Sequence, residues 1–139
     1  MRQLIIANRV ISDDSEAYVI AEIGHNHQGS LKTAKELFHA AAECGVAAAK
    51  LQKRDNRSLY TREMFDKPYD NENSFGATYG EHREALEFGK TEYEELQSEA
   101  DRLGIAFFST AFDMKSADFL AVLGSKAYKI ASGDLRNKP

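Results

Sequence analysis

Val19-Ile20-Ala21-Glu22-Ile23-Gly24 is a short apolar run interrupted by one carboxylate and ended by glycine. It predicts a buried strand over 19–23, with Glu22 near its C-terminal end. The segment after it fits a crossover. Ser30 can cap a helix starting at Leu31, and Leu31, Ala34, Leu37, Phe38 and Ala41 recur at helical spacing. Gly45 suits its end, because glycine accepts the left-handed conformation in which helices stop. Further strands are expected over 47–52, 105–110 and 127–131. Tyr93, Leu96, Ala100 and Leu103 form another apolar helical stripe, with Thr91 and Glu94 as its expected capping box and Gly104 as its end. Asp113 can cap a shorter helix through Leu123, stopped by Gly124. The order βαβαβαβ implies a parallel sheet with right-handed crossovers. Ahead of it, 4–7 and 9–11 read as a short hairpin. Residues 53–90 are polar, show little periodicity and are long for a βα connection.

With 139 residues and 42% hydrophobic content, the chain can bury one real core. A net charge of -4 gives no basic surface for nucleic acid or anionic membrane. Cys44 is the single cysteine, so no intrachain disulfide forms. Residues 1–10 lack the apolar centre of a signal peptide, and no apolar run is long enough to span a bilayer. A cytoplasmic setting is expected, with no nucleic-acid or membrane partner.

Open doubly wound sheets and barrels share this local pattern, and 24–30 carries neither G-x-G-x-x-G nor a P-loop. The polar residues say more. Glu22, Lys50, Gln52, Thr110, Lys129 and Ser132 all fall at or near the C-terminal ends of expected strands. Parallel α/β folds place their active sites at that end. One lysine near a strand end is ordinarily a snorkelling side chain or half of a salt bridge. Two lysines, a carboxylate and hydroxyls on one rim point instead to an anion, because Glu22 alone cannot neutralise both ammonium groups.

These residues lie in motifs that resemble the N-acetylneuraminate (sialic acid) synthase family. Ile20-Ala21-Glu22-Ile23-Gly24-His25-Asn26-His27-Gln28-Gly29-Ser30 resembles its opening motif, and Ala48-Ala49-Lys50-Leu51-Gln52 its second strand. Tyr79-Gly80-Glu81-His82-Arg83 with Leu86-Glu87-Phe88 is similar to its loop before the second helix. Phe108-Ser109-Thr110-Ala111-Phe112-Asp113 and Tyr128-Lys129-Ile130-Ala131-Ser132-Gly133-Asp134 resemble the third and fourth strands. Leu51, Ala48 and Ala111 depart from commoner phenylalanine, aspartate and proline without removing a functional group.

The resemblance implies the first half of a (β/α)8 TIM-type barrel. It also implies a condensation of phosphoenolpyruvate with N-acetylmannosamine or a related N-acyl sugar, releasing phosphate. Glu22 is the implied catalytic residue, handling a proton or orienting a hydroxyl. Lys50 and Lys129 would clamp phosphoenolpyruvate, with Thr110 and Ser132 donating to it, while Gln52 and Phe112 would face the sugar. A divalent metal, manganese or magnesium, would polarise the aldehyde. Its ligands are expected outside this chain, as are the rest of the barrel and a small antifreeze-like domain. His25 and His27 are therefore read as turn residues, His39 as surface, His82 as support for a loop, and Cys44 as packing. A homodimer is expected.

Two other readings stay open. A Schiff-base aldolase or lyase could use Lys129 as its nucleophile. A chain limited to residues 1–139 could be a non-catalytic fragment, since a full barrel takes about 250 residues. In that state the inward residues Ile20, Phe108 and Ala127 should face water or another chain, and the condensation should not occur.

Overall fold

The computed structural model describes residues 2–137; Met1, Lys138 and Pro139, the extremes of the expected 1–139 domain, lie outside them. A hairpin leads, with β1 (Gln3–Ile6) antiparallel to β2 (Arg9–Ser12). Its two-residue turn holds Ala7 and Asn8 at φ of 46° and 68°, the backbone hand that tight hairpins need. The main sheet comes next: β3 (Ile20–Gly24), β4 (Ala48–Lys53), β5 (Ala106–Ala111) and β6 (Tyr128–Ile130). These four strands pair in chain order, all parallel.

The helices between them are α1 (Leu31–Glu43), α2 (Asn56–Leu59), α3 (Arg62–Phe65), α4 (Tyr79–Ala85), α5 (Lys90–Leu103) and α6 (Met114–Val122). Alternation along the strands sorts the two faces. Ile23, Ala49, Leu51 and Phe107 meet Ala34 and Phe38 of α1, Tyr93, Leu96 and Ala100 of α5, and Leu120 of α6 in one core. Helices on one face and strands in sequential order are the arrangement of a (β/α)8 barrel, as expected. No helix of the described residues is long and apolar enough to cross a membrane.

On the opposite face, Ala48, Ala106 and Phe108 form a second cluster, with Ile6 of the hairpin, Tyr18 and Ala127 packed on it. Phe108 is therefore 5% exposed, contrary to the expectation that it would face water. Ile20 fits that expectation better, at 40% exposed on the outer strand.

Several caps stand where the sequence puts them. The Ser30 side chain accepts from Thr33 N–H, and that of Asp113 from Ser116 N–H. The expected Thr91–Glu94 box does not form. Helix α5 begins two residues earlier, and Glu92 accepts the Gly89 N–H at 3.0 Å. The apolar stripe fits either start, so only the cap geometry separates them. Residues 53–90 are not irregular either. Their polar surface hides three short helices, and α4 carries a full capping box between Thr78 and Glu81. Gly80 of α4 lies against the Phe65 ring so closely that a Cβ would sit 2.4 Å from it. Cys44 is exposed at the end of α1, so the packing role expected for it does not hold.

The first βα loop is held by His27, which is 1% exposed. Its ring stacks on Phe88 at 4.1 Å, and Nδ1 accepts the Gly29 N–H at 3.1 Å. Gly29 takes a φ of 74°, and a Cβ there would meet the Ala85 carbonyl at 2.3 Å. Burial, and secondarily the charge of His25, push the His27 pKa down to about 4, with Glu87 opposing.

Two outcomes are expected. Phe38→Ala should cost about 3–5 kcal/mol in urea unfolding, whereas Val122→Ala, at a position 81% exposed, should stay within about 0.5 kcal/mol. For His27, an unfolded histidine takes up a proton below its ordinary 6.5, while the folded one stays neutral down to about 4. Stability is thus lost as pH falls through that window, by up to about 3 kcal/mol, and the lowered pKa of His82 acts in the same direction. Unfolding free energies of His27→Gln should fall less steeply than wild type between pH 6.5 and 5; parallel slopes would contradict the assignment.

Candidate functional site

The register of the parallel sheet assembles the polar rim. Glu22 stands opposite Lys50, Gln52 opposite Thr110, and Thr110 opposite Lys129. Opposed residues in a sheet share a face, so five of the six strand-end residues project from the side away from the helices. Lys50 is the centre. It is 4% exposed, ion-paired with the Glu22 carboxylate, and donates to Thr110 Oγ1 at 3.0 Å. Thr110 is itself 2% exposed, while the Glu22 side chain is half open to solvent. A buried ammonium group needs this company, because losing its only counter-charge costs several kcal/mol, about 3–5 in comparable pairs.

The other expected residues divide. Gln52 lies in the same face but turns its Oε1 to Arg54, whose Nη2 donates at 2.7 Å. Phe112 lies under that same guanidinium, 3.8 Å from ring centroid to charge. Lys129 is on the right face and the adjacent strand, yet it is exposed, and its Nζ sits 3.5 Å from the Ile130 carbonyl. Ser132 opens a short 3-10 helix, Ser132–Asp134, and is exposed. The structure thus joins Glu22, Lys50 and Thr110 directly, and leaves Lys129 and Ser132 outside that hydrogen-bonded set.

A second network was not anticipated. Glu87 accepts from Lys53 Nζ at 3.0 Å and from the Arg54 backbone N–H at 3.3 Å. Its other oxygen lies 3.3 Å from His25 Nε2. Burial works to raise the Glu87 pKa, but His25 and Lys53 outweigh it and hold the carboxyl below its ordinary range. Asp113 ties the rim together from the far side. Its Oδ2 accepts the Asp55 N–H and the Ser116 hydroxyl, both at 2.8 Å. Apart from Asp113 and Ser116, these partners lie 33 to 62 residues apart in the chain, as Arg54–Glu87 and His25–Glu87 show. Glu87 within Leu86-Glu87-Phe88, His25 in the opening motif and Asp113 as an expected cap were the sequence signals for them.

His82, the loop support, is buried and accepts the Phe75 N–H at 3.2 Å. His39 pairs with Glu99 on the surface between α1 and α5. Among the described residues, no three His, Cys, Asp or Glu side chains gather as a metal centre would require. These residues therefore do not fit a metal, and none of them is assigned as a ligand.

Known proteins resemble this chain in sequence and in fold. The chain is 40% identical over 131 residues to an N-acetylneuraminate-9-phosphate synthase of Mus musculus, covering 94% of this chain and 36% of that protein. It is 41% identical over 123 residues to an N,N'-diacetyllegionaminic acid synthase of Legionella pneumophila, covering 88% of this chain and 35% of that protein. A crystal structure of an N-acetylneuraminic acid synthetase from Leptospira borgpetersenii, in complex with citrate, superposes with a TM-score of 0.78 at 28% identity, covering 98% of this chain and 43% of that one. The chain spans little more than a third of the length of the curated relatives it matches. Residues 37–139 match the profile described as the NeuB family, and with a half-barrel whose rim is centred on a buried lysine, the chain belongs to that family of sialic acid synthases.

Proposed function

We propose that these residues form the anion-holding side of a site that condenses phosphoenolpyruvate with the aldehyde of an N-acyl amino sugar. The observation that carries the reading is Lys50, a buried ammonium group clasped between Glu22 and Thr110 at the C-terminal rim of a parallel sheet. Two lysines face one carboxylate there, and an enol phosphate bearing a carboxylate supplies the missing negative charge.

Each residue then has a task. Lys50 and Lys129 neutralise the phosphate and the carboxylate, and the Thr110 and Ser132 hydroxyls donate to the same ligand. The methylene carbon attacks the aldehyde carbon and forms the new bond. Water adds to the carbon left cationic, and the phosphate departs with its bridging oxygen. Glu22 lies beside Lys50 and is half open, which suits a group that takes a proton from that water or orients it. Gln52 and Phe112 flank the path of the sugar. The outer strands β3 and β6 are each paired on one side only among the described residues, and turnover requires those edges closed so that the rim around the substrates is complete. The Schiff-base alternative would use Lys129 as its nucleophile, yet that side chain is exposed rather than desolvated.

The test is phosphate release from phosphoenolpyruvate and N-acetylmannosamine by the full-length polypeptide. Lys50→Ala should lower kcat/KM by at least about tenfold, the loss of one charge-assisted hydrogen bond, while circular dichroism shows a retained fold. Unchanged turnover, or a borohydride-trapped adduct on Lys50 or Lys129, would refute the anion-clamp assignment.

A further inference from the structure

Strand β3 ends irregularly. Glu22 stands opposite Lys50, but the next residue of β4, Leu51, stands opposite Gly24, so Ile23 is an extra residue in the strand. Bulges of this kind re-aim the side chains beside them. Ile23 is 5% exposed and anchors the helix side. Gly24 takes a φ of 59°, and a Cβ on it would lie 3.4 Å from Gln52 Nε2 and 3.5 Å from Glu22 Oε1. The Glu22 carboxylate thus lies against Gly24 as it reaches Lys50. The strand itself holds it loosely, because β3 is paired on one side only among the described residues and the Glu22 side chain is half open to solvent.

His25 comes next in the chain, and it is gripped at both ring nitrogens. Its side chain is 10% exposed. Nδ1 faces Arg54 Nη1 at 3.4 Å, and Nε2 faces Glu87 Oε1 at 3.3 Å. A guanidinium can only donate, so Nδ1 is the acceptor and the ring proton sits on Nε2, directed at the carboxylate. Glu87 Oε1 is buried and otherwise unpartnered among the described residues. Its sister oxygen is committed to Lys53 and the Arg54 backbone. Both groups that grip His25 therefore belong to the connection after β4. The turn carries this hold back to the strand, since Asn26 N–H donates to the Ile23 carbonyl and Gln28 N–H to the His25 carbonyl, both at 3.0 Å. His27 packs beside it, the two rings edge to face at 5.7 Å.

We propose that His25 is a positioning residue: clasped by Glu87 and Arg54, it fixes the bulged end of β3 and so keeps the Glu22 carboxylate on Lys50. It acts through Ile23 and Gly24 rather than on the reacting groups. Without the clasp Gly24 is free to turn, because glycine has the widest backbone range, and the carboxylate leaves the ammonium group for solvent. Turnover then slows because Glu22 is displaced, while Lys50, still bonded to Thr110, continues to meet the enol phosphate. The task given to Glu22 rests on the condensation reading above; its placement does not.

The experiment uses the full-length polypeptide with phosphoenolpyruvate and N-acetylmannosamine. His25→Leu fills the space but neither donates nor accepts, whereas His25→Gln can accept from Arg54 and donate to Glu87. His25→Leu should lower kcat at least about tenfold and leave KM for phosphoenolpyruvate within about twofold. His25→Gln should restore kcat to within about threefold of wild type. Equal kcat in all three proteins, equal losses in both variants, or a loss confined to KM would overturn the assignment. A second readout needs no turnover: labelling of Lys50 by an amine reagent, located by mass spectrometry. Released from Glu22, Lys50 should react at least about tenfold faster in His25→Leu than in wild type or His25→Gln. If wild type releases no phosphate, the condensation reading fails by itself, and equal labelling rates in the three proteins would then sink the positioning role. Circular dichroism checks that each variant is folded; should His25→Leu not fold, His25→Phe, which keeps a ring and lacks both nitrogens, is held to the same outcomes.

Discussion

The pairing of Lys50 with Glu22 and Thr110 is the interaction on which the rest of this structure turns. A charged group can sit at 4% exposure only if its neighbours are fixed. Parallel register is what fixes them. Strand β4 is held on both sides, by β3 and β5, and a slip of one residue would send Lys50 into the helix-facing core and Leu51 onto the polar face. The apolar side of β4 therefore protects the polar side. Ala49 and Leu51, locked against α1 and α5, leave Lys50 and Gln52 no alternative direction.

The same logic explains the connection between β4 and α5. Lys53 ends the strand and leans on Glu87 and the Phe88 carbonyl. Phe88 in turn stacks on His27, which shapes the loop after β3. One carboxylate and one aromatic ring thus bind three loops into a single wall above the sheet. The wall is stiff through contact rather than through regular structure, since its helices are four to seven residues long.

Much of this was legible in the chain itself. The strands, the helix stripes and the Ser30 and Asp113 caps come from local periodicity and capping chemistry, which neighbours in sequence decide. The face shared by Glu22, Lys50, Gln52, Thr110 and Lys129 was legible for the same reason, because alternation along a strand is a local rule. The rest was not. Whether Glu92 or Glu94 caps α5 depends on where Gly89 leaves the preceding loop. Arg54, His25 and Glu87 meet only because distant loops fold over the rim, and no spacing announces that. Phe108 departs from its expected exposure because it belongs to a cluster on which Ile6 of the hairpin, Tyr18 and Ala127 pack, segments far apart in the chain.

The β4–β5 pairing encloses everything between Lys53 and Ala106, so the sheet must close a loop of some fifty residues before either strand gains a partner on that side. Pairings so remote in the chain make folding slow relative to a helical bundle of equal size. Thermodynamics is more forgiving than kinetics here, since doubling a loop costs only about 0.6 kcal/mol in closure entropy. The wall over the site is thus the part of this fold freest to change length over evolutionary time. A lineage could rebuild it around a differently substituted substrate and leave the strands that carry Lys50 untouched.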